Sequence, residues 1–153
     1  VNLLALLEKS IQKFKQIKGS GISFNLSCSE VIVVEVDPLE SDLVLYNLFK
    51  NSLEACKNES APLISITVEE SEQEAVIQIR DNGPEISEDL VNSIFIPKVS
   101  QKTDGLGLGL SICKALAESQ GGCLSAIRNA EGHLVMKLCL LKADSVKEIG
   151  ENQ

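Results

Sequence analysis

Two adjacent segments in the middle of the chain constrain the fold more than any other feature. Residues 63–70 and 75–80 both alternate apolar and polar side chains, and the short acidic stretch 71–74 separates them. Alternation with a period of two is typical of a strand that buries one face, and so short a connection joins antiparallel neighbours. The sequence therefore predicts a hairpin whose apolar face has to be covered by other elements.

Helical periodicity on both sides of this hairpin supplies the cover. Apolar residues recur at steps of three and four over 2–17, and Asp37-Pro38 marks the start of a helix that runs to about Asn58. Strands are also predicted at 22–27, 31–36, 123–129 and 132–141, with a short helical pattern near 87–94 and a helix over 107–120. This order favours an α+β two-layer sandwich, with helices on one face of a mixed, mostly antiparallel sheet and the other face in water.

Charge and cysteine content limit the partners of the chain. The net charge of -8 makes nucleic acid an unfavourable partner, because an acidic surface repels a phosphate backbone. The five cysteines include no CxxC pair, which argues against a metal cluster or a disulfide framework and favours reduced, mostly buried thiols. No stretch approaches the roughly 20 apolar residues of a membrane span, and no signal peptide is visible.

The helix predicted to begin near Asp37 carries a polar stripe. Asn47 and Asn51 lie one helical turn apart and Glu54 follows three residues later, so the three side chains share a face. A carboxamide oxygen is a hard, neutral ligand that suits Mg²⁺ bound to substrate phosphates. A solvated polar stripe explains the same spacing, so the stripe alone does not establish a metal site.

An acidic residue stands at the end of the second strand of the hairpin. Asp81 follows that strand directly, and Gly83 comes two residues later. An ionised aspartate only accepts hydrogen bonds, so it can hold the exocyclic amine of adenine, and a glycine lets the backbone approach a flat base closely. An ordinary Asp-Asn-Gly turn is the alternative explanation.

Glycines alternate with leucines where the last helix begins. Gly105, Gly107 and Gly109 are separated by leucines and lead directly into that helix, whose N-terminus suits phosphate oxygens. Lys102 stands three residues before the run and adds a cation. The run is neither a P-loop, since no Gly-Lys-Ser/Thr follows, nor a good dinucleotide fingerprint, since no βαβ unit surrounds it. A flexible linker is disfavoured because the intervening leucines predict packing.

The order and spacing of the three patterns are more specific than any one of them. They resemble the N, G1 and G2 boxes of the GHKL ATPase and kinase superfamily, and Phe95-Ile96-Pro97-Lys98 is similar to the F box between them. The resemblance is closest to sensor histidine kinases, because residues 48–55 resemble their NLxxNAxEA pattern and residues 105–112 resemble their most typical G2 form. It covers roughly residues 1–141.

This resemblance implies the Bergerat sandwich fold, with ATP and Mg²⁺ bound under a flexible lid, and transfer of the γ-phosphoryl group to a histidine on a separate domain. It implies that Asn51 is the metal ligand, that Asn47 supports it and that Asp81 reads the adenine amine. The nucleotide-binding set that it implies is Asn47, Asn51, Glu54, Asp81, Gly83, Ile86, Lys102, Gly105, Gly107, Leu108 and Gly109. No catalytic residue beyond these ATP-positioning groups is expected in the chain.

The resemblance also suggests how the chain is organised. Residues 1–18 are expected to be a linker helix from an absent dimerisation and phosphoacceptor domain, 19–141 the ATP-binding domain and 142–153 a flexible tail. The expected partners are that dimerisation domain and a downstream response regulator, with no nucleic acid and no membrane contact by this domain. The expected location is cytoplasmic, and anchoring of the parent protein in the inner membrane stays open. The only histidine, His133, is predicted to be a surface residue of the last hairpin and not the phosphate acceptor.

One departure from the family pattern keeps other functions open. Glu85 stands where the G1 box often has a second glycine, and we expect its side chain to crowd the pocket edge or to place negative charge near the phosphates. A degenerate GHKL binding or docking module is one alternative, and an anti-sigma-type serine kinase is another. A self-contained ATPase is disfavoured, because the gyrase-like and chaperone branches carry a water-activating glutamate at or near the position of Asn47.

Overall fold

The computed structural model of the chain describes residues 1–19, 21–28, 30–97 and 109–143. The helices are α1 (Leu3–Lys18), α2 (Pro38–Cys56), α3 (Glu88–Ser93) and α4 (Leu110–Ser119), and the strands are β1 (Ser23–Ser27), β2 (Leu63–Glu70), β3 (Glu74–Asp81), β4 (Cys123–Arg128) and β5 (Leu134–Leu141). These bounds lie close to the predicted ones, with the exception of the strand predicted at 31–36.

The five strands form one sheet in the order β1-β2-β3-β5-β4. β1 pairs parallel with β2, and the other neighbouring pairs are antiparallel. The prediction of an α+β sandwich around a mixed, mostly antiparallel sheet is therefore confirmed. The parallel part of this mixed sheet is the pairing of β1 with β2, which is distant in sequence.

The strand predicted at 31–36 is absent as an element. Val33 and Val34 form only isolated bridges, to Asn2 and Lys142 respectively. The backbone of this segment bonds instead to the N-terminal residue and to the end of β5. Val34 N–H donates to Val1 O and Glu35 N–H donates to Leu141 O, both at 2.8 Å. The segment ties the N-terminus to the end of β5 and leaves no ladder of its own.

The sheet has a covered face and an open face. On the covered face, which the helices pack against, Ile64, Ile66, Ile77 and Ile79 are at most 1% exposed. The alternate residues of the same strands form the open face, where Ser65, Thr67, Gln78, Arg80 and Lys137 are half-buried or exposed. Successive side chains along a strand point to opposite faces of the sheet, so this division extends along every strand.

Helix α1 packs into the same core as the sheet. Leu3, Leu7 and Phe14 are fully buried, and the ring of Phe14 makes edge-to-face contacts with Tyr46 and Phe49 at centroid distances of 5.5 and 5.7 Å. These contacts make α1 part of the folded unit. Its predicted role as a linker from an upstream domain stays a prediction.

Helix α2 begins where its sequence predicts, and its apolar stripe faces the core. Asp37 caps it, because its side chain accepts hydrogen bonds from the backbone of Leu39 and Glu40 at 2.9 and 3.1 Å, and Pro38 occupies the first turn. Its buried stripe, which includes Leu48 and Ser52, faces the core. The adjoining stripe is therefore left for the polar residues of the site.

The end of β5 is also tied down. Lys142 N–H donates to Gln73 O and Ala143 N–H donates to Val33 O, both at 2.9 Å, so the first two residues of the predicted tail pair with the rest of the domain. Residues 144–153 lie outside the described residues. Within residues 1–19, 21–28, 30–97 and 109–143, none of the helices combines the length and the apolar character needed to cross a membrane.

Candidate functional site

A cavity of about 540 Å³ opens where three helices approach one end of the sheet. Its lining residues are Asn51, Glu54, Ala55, Ile86, Leu90, Ile94, Ile96, Pro97, Gly109, Leu110, Ser111 and Leu134. This volume lies in the range of small-molecule sites, and a mostly apolar wall with a few polar groups is typical of them. The cavity brings together four residues that the sequence predicted from three separate segments: Asn51, Glu54, Ile86 and Gly109.

Asp81 lies at one end of this arrangement, on the covered face. It ends β3 opposite the buried Ile64, and its Oδ1 accepts a hydrogen bond from Gly83 N–H at 2.8 Å. A Cβ atom on Gly83 would overlap the carbonyl oxygen of Ala55 and come within 2.7 Å of Asp81 Oδ1. Only glycine fits at position 83, and it joins the carboxylate to the α2 wall of the cavity.

A second, smaller cavity lies behind Asp81. It measures about 390 Å³, and Arg80, Asp81, Asn129 and His133 are among its lining residues. Asp81 is found among the lining residues of this cavity and not of the larger one. Burial, and then the charge of Asp81, raise the pKa of the Cys56 thiol at the end of α2. Asp81 therefore lines the smaller cavity, and Gly83 lies between its carboxylate and Ala55 in the wall of the larger one.

The environment of Asp81 changes its proton affinity. Burial raises the pKa of the Asp81 carboxyl, and the Gly83 N–H donor and the field of His133 offset part of that increase. Among the described residues the hydrogen bond to this carboxylate comes from Gly83 and reaches Oδ1, which leaves Oδ2 as the oxygen suited to a ligand donor. A half-buried acceptor of this kind contributes most to the affinity for a ligand that carries an N–H donor.

The wall of the cavity at Ile86 is held from outside by the β4–β5 turn (residues 129–133). Ile86 N–H donates to Gly132 O at 2.9 Å, and Ile86 C=O accepts a hydrogen bond from Arg128 Nε at 2.8 Å. Both backbone groups of Ile86 are thus satisfied by one hairpin. The position of a cavity wall depends on Arg128 and Gly132, neither of which the sequence singled out.

Glu85 lies against that hairpin and not in the cavity. A Cβ atom on Gly132, which has a φ of 88°, would come within 3.2 Å of Glu85 Cδ and 3.0 Å of Arg128 Nη2. Glu85 is exposed and absent from the lining of the 540 Å³ cavity. The expectation that Glu85 crowds the pocket edge is therefore wrong, because the side chain turns onto the β4–β5 turn, where Gly132 leaves space for it.

The polar stripe of α2 divides into two parts. Asn51 is half-buried and lines the cavity, and Glu54 lines it while accepting a hydrogen bond from Lys57 Nζ at 2.7 Å. Asn47 is only 5% exposed, and its Nδ2 donates to Leu43 O at 2.8 Å in its own helix. Asn51 and Glu54 thus face the cavity, whereas Asn47 is packed beneath them with its amide already bonded.

The start of α4 forms another wall of the cavity. Gly109 is the N-cap residue, and its carbonyl oxygen accepts hydrogen bonds from Ile112 and Cys113 at 3.0 and 3.3 Å. The glycine cap has no side chain to satisfy the first N–H groups of the helix, and a helix N-terminus of this kind suits an anion. The predicted residues Lys98, Lys102, Gly105, Gly107 and Leu108 lie outside the described residues.

The oxygen donors at the cavity suit a cation that keeps most of its bound waters. No group of three or more histidine, cysteine, aspartate or glutamate side chains converges within the part of the chain that the structure describes. Asn51 and Glu54 nevertheless place one carboxamide and one carboxylate at the cavity. Mg²⁺ retains several waters and shares phosphate oxygens with few protein ligands, so these residues fit it.

The sequence missed the apolar wall and its support. Leu90, Ile94 and Leu134 line the cavity, and the spacing of Leu90 and Ile94 by four residues on one helical turn was an available signal. Arg128 carried no signal, because it acts through a backbone carbonyl. His133 lies in the turn just before β5 and is half-buried, so its predicted place on the surface of the strand is only approximate.

Comparison with known proteins finds consistent relatives. Residues 36–144 match the histidine kinase-, DNA gyrase B- and HSP90-like ATPase family. The chain is 34% identical over 119 residues to the sensor protein KdpD of Clostridium acetobutylicum, covering 74% of this chain and 13% of that protein. It is 30% identical over 134 residues to the sensor histidine kinase ZraS of Escherichia coli K12, covering 86% of this chain and 28% of that protein.

Solved structures agree with these relatives. The catalytic domain of the histidine kinase ThkA superposes with a TM-score of 0.77 at 32% identity, covering 93% of both chains. A second structure, of ThkA in complex with the response regulator TrrA, superposes with a TM-score of 0.69 at 26% identity, covering 94% of this chain and 41% of that one. The chain thus matches a whole catalytic domain, but it spans less than a third of the length of the curated relatives described above.

Proposed function

The chain belongs to the histidine kinase-, DNA gyrase B- and HSP90-like ATPase family, and on that premise we propose that it serves a sensor histidine kinase as its ATP-binding catalytic domain. In this proposal the domain binds Mg-ATP and presents the γ-phosphoryl group to a histidine on a separate dimerisation domain of the same parent protein. A response regulator then receives the phosphoryl group. The relatives and the superposed catalytic domain, all of them sensor or histidine kinases, support this assignment.

One observation carries the proposal: two polar side chains, a helix N-terminus and an apolar residue, from three separate segments, meet at a single cavity. α2 supplies Asn51 and Glu54, α4 supplies its N-terminus at Gly109, and the segment after β3 supplies Ile86. Asp81 stands behind this cavity, next to Ala55. An adenine nucleotide needs an acceptor for its amine, an apolar wall and an anion site. The cavity supplies the wall and the helix N-terminus, and Asp81 beside it is proposed as the acceptor.

The base is expected to lie at the Asp81 end. The free carboxylate oxygen of Asp81 accepts the exocyclic amine of adenine, and Gly83 allows the base to approach the backbone. Ile86 and Leu134, which line the cavity, provide apolar contact for the ring faces. Adenine is favoured over guanine because guanine presents a carbonyl oxygen where adenine presents the amine, and two acceptors repel each other.

The phosphates are expected at the α4 end. The N–H groups of the first turn of α4 donate to phosphate oxygens, and Asn51 offers a carboxamide oxygen to the cation, with Glu54 beside it. When bound, Mg²⁺ neutralises negative charge on the phosphates. Gly105, Gly107, Leu108 and Lys102 are proposed to complete this end as the lid.

Phosphoryl transfer depends mainly on positioning and charge neutralisation, so this domain needs no nucleophile of its own. His133 is half-buried, its N–H donates to Asn129 Oδ1 at 2.9 Å, and it lines the smaller cavity and not the larger one. It is therefore poorly placed to accept a phosphoryl group. Because the domain consumes ATP, we place it in the cytoplasm, with the dimerisation domain and the response regulator as its partners.

Isothermal titration tests the binding half of the proposal. We expect Mg-ADP and a non-hydrolysable Mg-ATP analogue to bind with dissociation constants in the micromolar range, and Mg-GDP to bind at least about tenfold more weakly, as expected for a site that hydrogen-bonds one base edge. Absence of heat at millimolar nucleotide would exclude the nucleotide site. Equal affinity for ADP and GDP would exclude the Asp81 role.

Reconstitution tests the transfer half. The chain is mixed with the dimerisation domain of its own parent protein and with radiolabelled Mg-ATP. We expect an acid-labile, base-stable phosphohistidine on the dimerisation domain and no label on His133 in this chain. Nucleotide binding without any transfer to the intact parent would favour a binding module over a kinase.

A further inference from the structure

Two cysteines face each other across the last hairpin. Cys123 of β4 and Cys139 of β5 are direct cross-strand partners. Both belong to the open face, and both are free thiols, Cys123 exposed and Cys139 half-buried. Next to burial, the neighbouring Cys123 raises the pKa of the Cys139 thiol. This pair lies on the opposite side of the sheet from the 540 Å³ cavity and has no part in the proposed nucleotide site.

The strand register fixes the distance between these residues. Asn129 N–H donates to His133 O at 2.9 Å, so 129 and 133 form a hydrogen-bonded pair, and the pairs along β4 and β5 alternate from there in unbroken register. Residues 123 and 139 are then also a hydrogen-bonded pair, with Cα atoms roughly 5.5 Å apart. A disulfide accepts Cα separations of about 4.4–6.8 Å, so the strands can stay where they are when the sulfurs bond.

We propose that Cys123 and Cys139 form a redox-active dithiol, which a small disulfide such as oxidised glutathione converts reversibly into a cross-strand disulfide. Cβ atoms in a hydrogen-bonded pair stand farther apart than a relaxed disulfide prefers. The bond is therefore strained and exposed on one side, and such disulfides are readily reduced. The site is a reversible one and not a permanent structural link.

The exposed thiol reacts first. The Cys123 thiolate attacks one sulfur of the small disulfide, which breaks its S–S bond, releases one thiolate and leaves a mixed disulfide on Cys123. Cys139 then loses its proton and attacks Cys123 Sγ, which forms the cross-strand bond and releases the second thiolate. Two electrons pass from the two cysteines to the reagent, and two small thiols result.

The half-buried thiol becomes more reactive after the first step. Burial is the main reason that the pKa of Cys139 is raised to about 11, and the hydrogen bond and charge of Cys123 raise it further, as does Glu74, while Lys137 lowers it. The mixed disulfide removes the Cys123 contribution, since a derivatised sulfur carries no charge and donates no proton. Cys123 therefore attacks first because it is exposed, and Cys139 attacks second because the modified Cys123 no longer raises its pKa.

The remaining cysteines differ from this pair. Cys56 and Cys113 are fully buried. Cys28 is half-buried, and its thiol donates to Glu30 O at 3.4 Å. A buried thiol is poorly accessible to a reagent, and a thiol without a neighbouring cysteine has no partner for an intramolecular disulfide. The pair in the last hairpin therefore differs from every other cysteine of the chain in both exposure and neighbour.

The test treats the folded, reduced chain with oxidised glutathione, quenches with an alkylating reagent and measures intact mass and peptide maps. We expect a species that has lost two hydrogens, with a disulfide joining the peptides of Cys123 and Cys139, and full return to the dithiol on addition of reduced glutathione. Cys139→Ser should instead trap one glutathione on Cys123. Cys123→Ser should form no intramolecular bond, and Cys28→Ser should behave as the unsubstituted chain.

Three results would overturn the proposal. These are a stable glutathione adduct on Cys123 in the unsubstituted chain, a disulfide that involves Cys28 or a second copy of the chain, and a 123–139 bond that forms only in denaturant. The peptide map of the unsubstituted chain decides the matter even if a serine variant fails to fold. None of these readouts involves nucleotide, so failure here is distinct from failure of the kinase assignment.

Discussion

The two faces of the sheet are made by the same strands and do different things. On the covered face, alternate residues of β3 are buried until the strand ends at Asp81, where helix ends and a cavity begin. On the open face, the intervening residues of the same strand, such as Gln78 and Arg80, are polar and in contact with water. The difference shows that the site arises where a covered strand ends and not from polarity as such. Matched substitutions on the two faces should separate the two roles.

The largest effect is expected for Asp81→Asn, compared with Glu69→Gln on the open face. An asparagine can present N–H groups to the adenine amine, so Mg-ADP affinity should fall by at least about a hundredfold, in keeping with a lost charged hydrogen bond and a donor-donor contact. Isothermal titration measures the affinity, and thermal unfolding without nucleotide checks that each variant is folded. Equal loss in Glu69→Gln, or none in Asp81→Asn, would contradict the assigned role.

Asn51→Ala should come next, with Asn25→Ala on the exposed side of β1 as its control. Loss of a metal-ligand oxygen should weaken Mg-ADP binding by about ten- to a hundredfold, as changes around metal ligands do, and have a smaller effect on ADP in excess chelator. Titrations with and without Mg²⁺ separate the two contributions. An effect of the same size in both conditions would show that Asn51 does not act through the cation.

A smaller effect is expected for Arg128→Met, with Arg80→Met as the control on the open face. Arg128 holds the carbonyl of Ile86 at 2.8 Å. If its loss leaves the cavity wall in place for only a fifth of the time, Mg-ADP affinity falls about fivefold. Hydrogen exchange at the Ile86 amide should accelerate without nucleotide. Faster exchange with unchanged affinity would mean that the hairpin does not set the shape of the pocket.

The smallest effect concerns pH. The pKa of Asp81 is raised in the folded chain, chiefly by burial, so folding favours its protonated form. That contribution to stability is complete below the unfolded pKa and is lost as pH rises through the folded value. Without nucleotide, Asp81→Asn should gain thermal stability relative to the unsubstituted chain as pH rises through that value. A pH-independent difference in melting temperature would contradict this origin.

The same pKa has an opposite consequence for the ligand. A protonated Asp81 loses acceptor capacity, so Mg-ADP binding should weaken as pH falls through the raised pKa. Affinity measured across the acidic range checks this, with Asp81→Asn as the variant in which the dependence should be reduced. A pH profile that is identical in the two proteins would assign the titration to another group, such as the nucleotide itself.

Most of the fold could be predicted because periodicity reports burial directly. The helices and the hairpin of β2 and β3 follow from it, and Asp37-Pro38 fixed the start of α2 within a residue. Periodicity does not report strand partners, which is why the parallel pairing of β1 with β2 was missed. The segment 31–36 was mispredicted for the same reason. Its apolar residues alternate as in a strand, but its backbone hydrogen bonds go to Val1 and to the end of β5.

The site was predictable to a similar extent. Asn51, Glu54 and Asp81 were predicted because their side chains stand in a recognisable spacing. The structure brings the first two to one cavity, and Asp81 lines the smaller one. Arg128 acts through a backbone oxygen and Gly132 through the space that it leaves, so neither has a sequence pattern. Glu85 was misjudged because sequence gives its position in the loop and not the direction of its side chain.

A crystal structure of the chain with Mg²⁺ and a non-hydrolysable ATP analogue would show directly whether the three segments bind one nucleotide. We expect the adenine amine within hydrogen-bond distance of Asp81 and a metal ion about 2.1 Å from Asn51 Oδ1, as is usual for Mg²⁺. We also expect phosphate oxygens at the first turn of α4. A nucleotide found instead in the smaller cavity beside Arg80 and His133, or phosphates turned away from Gly109, would contradict it.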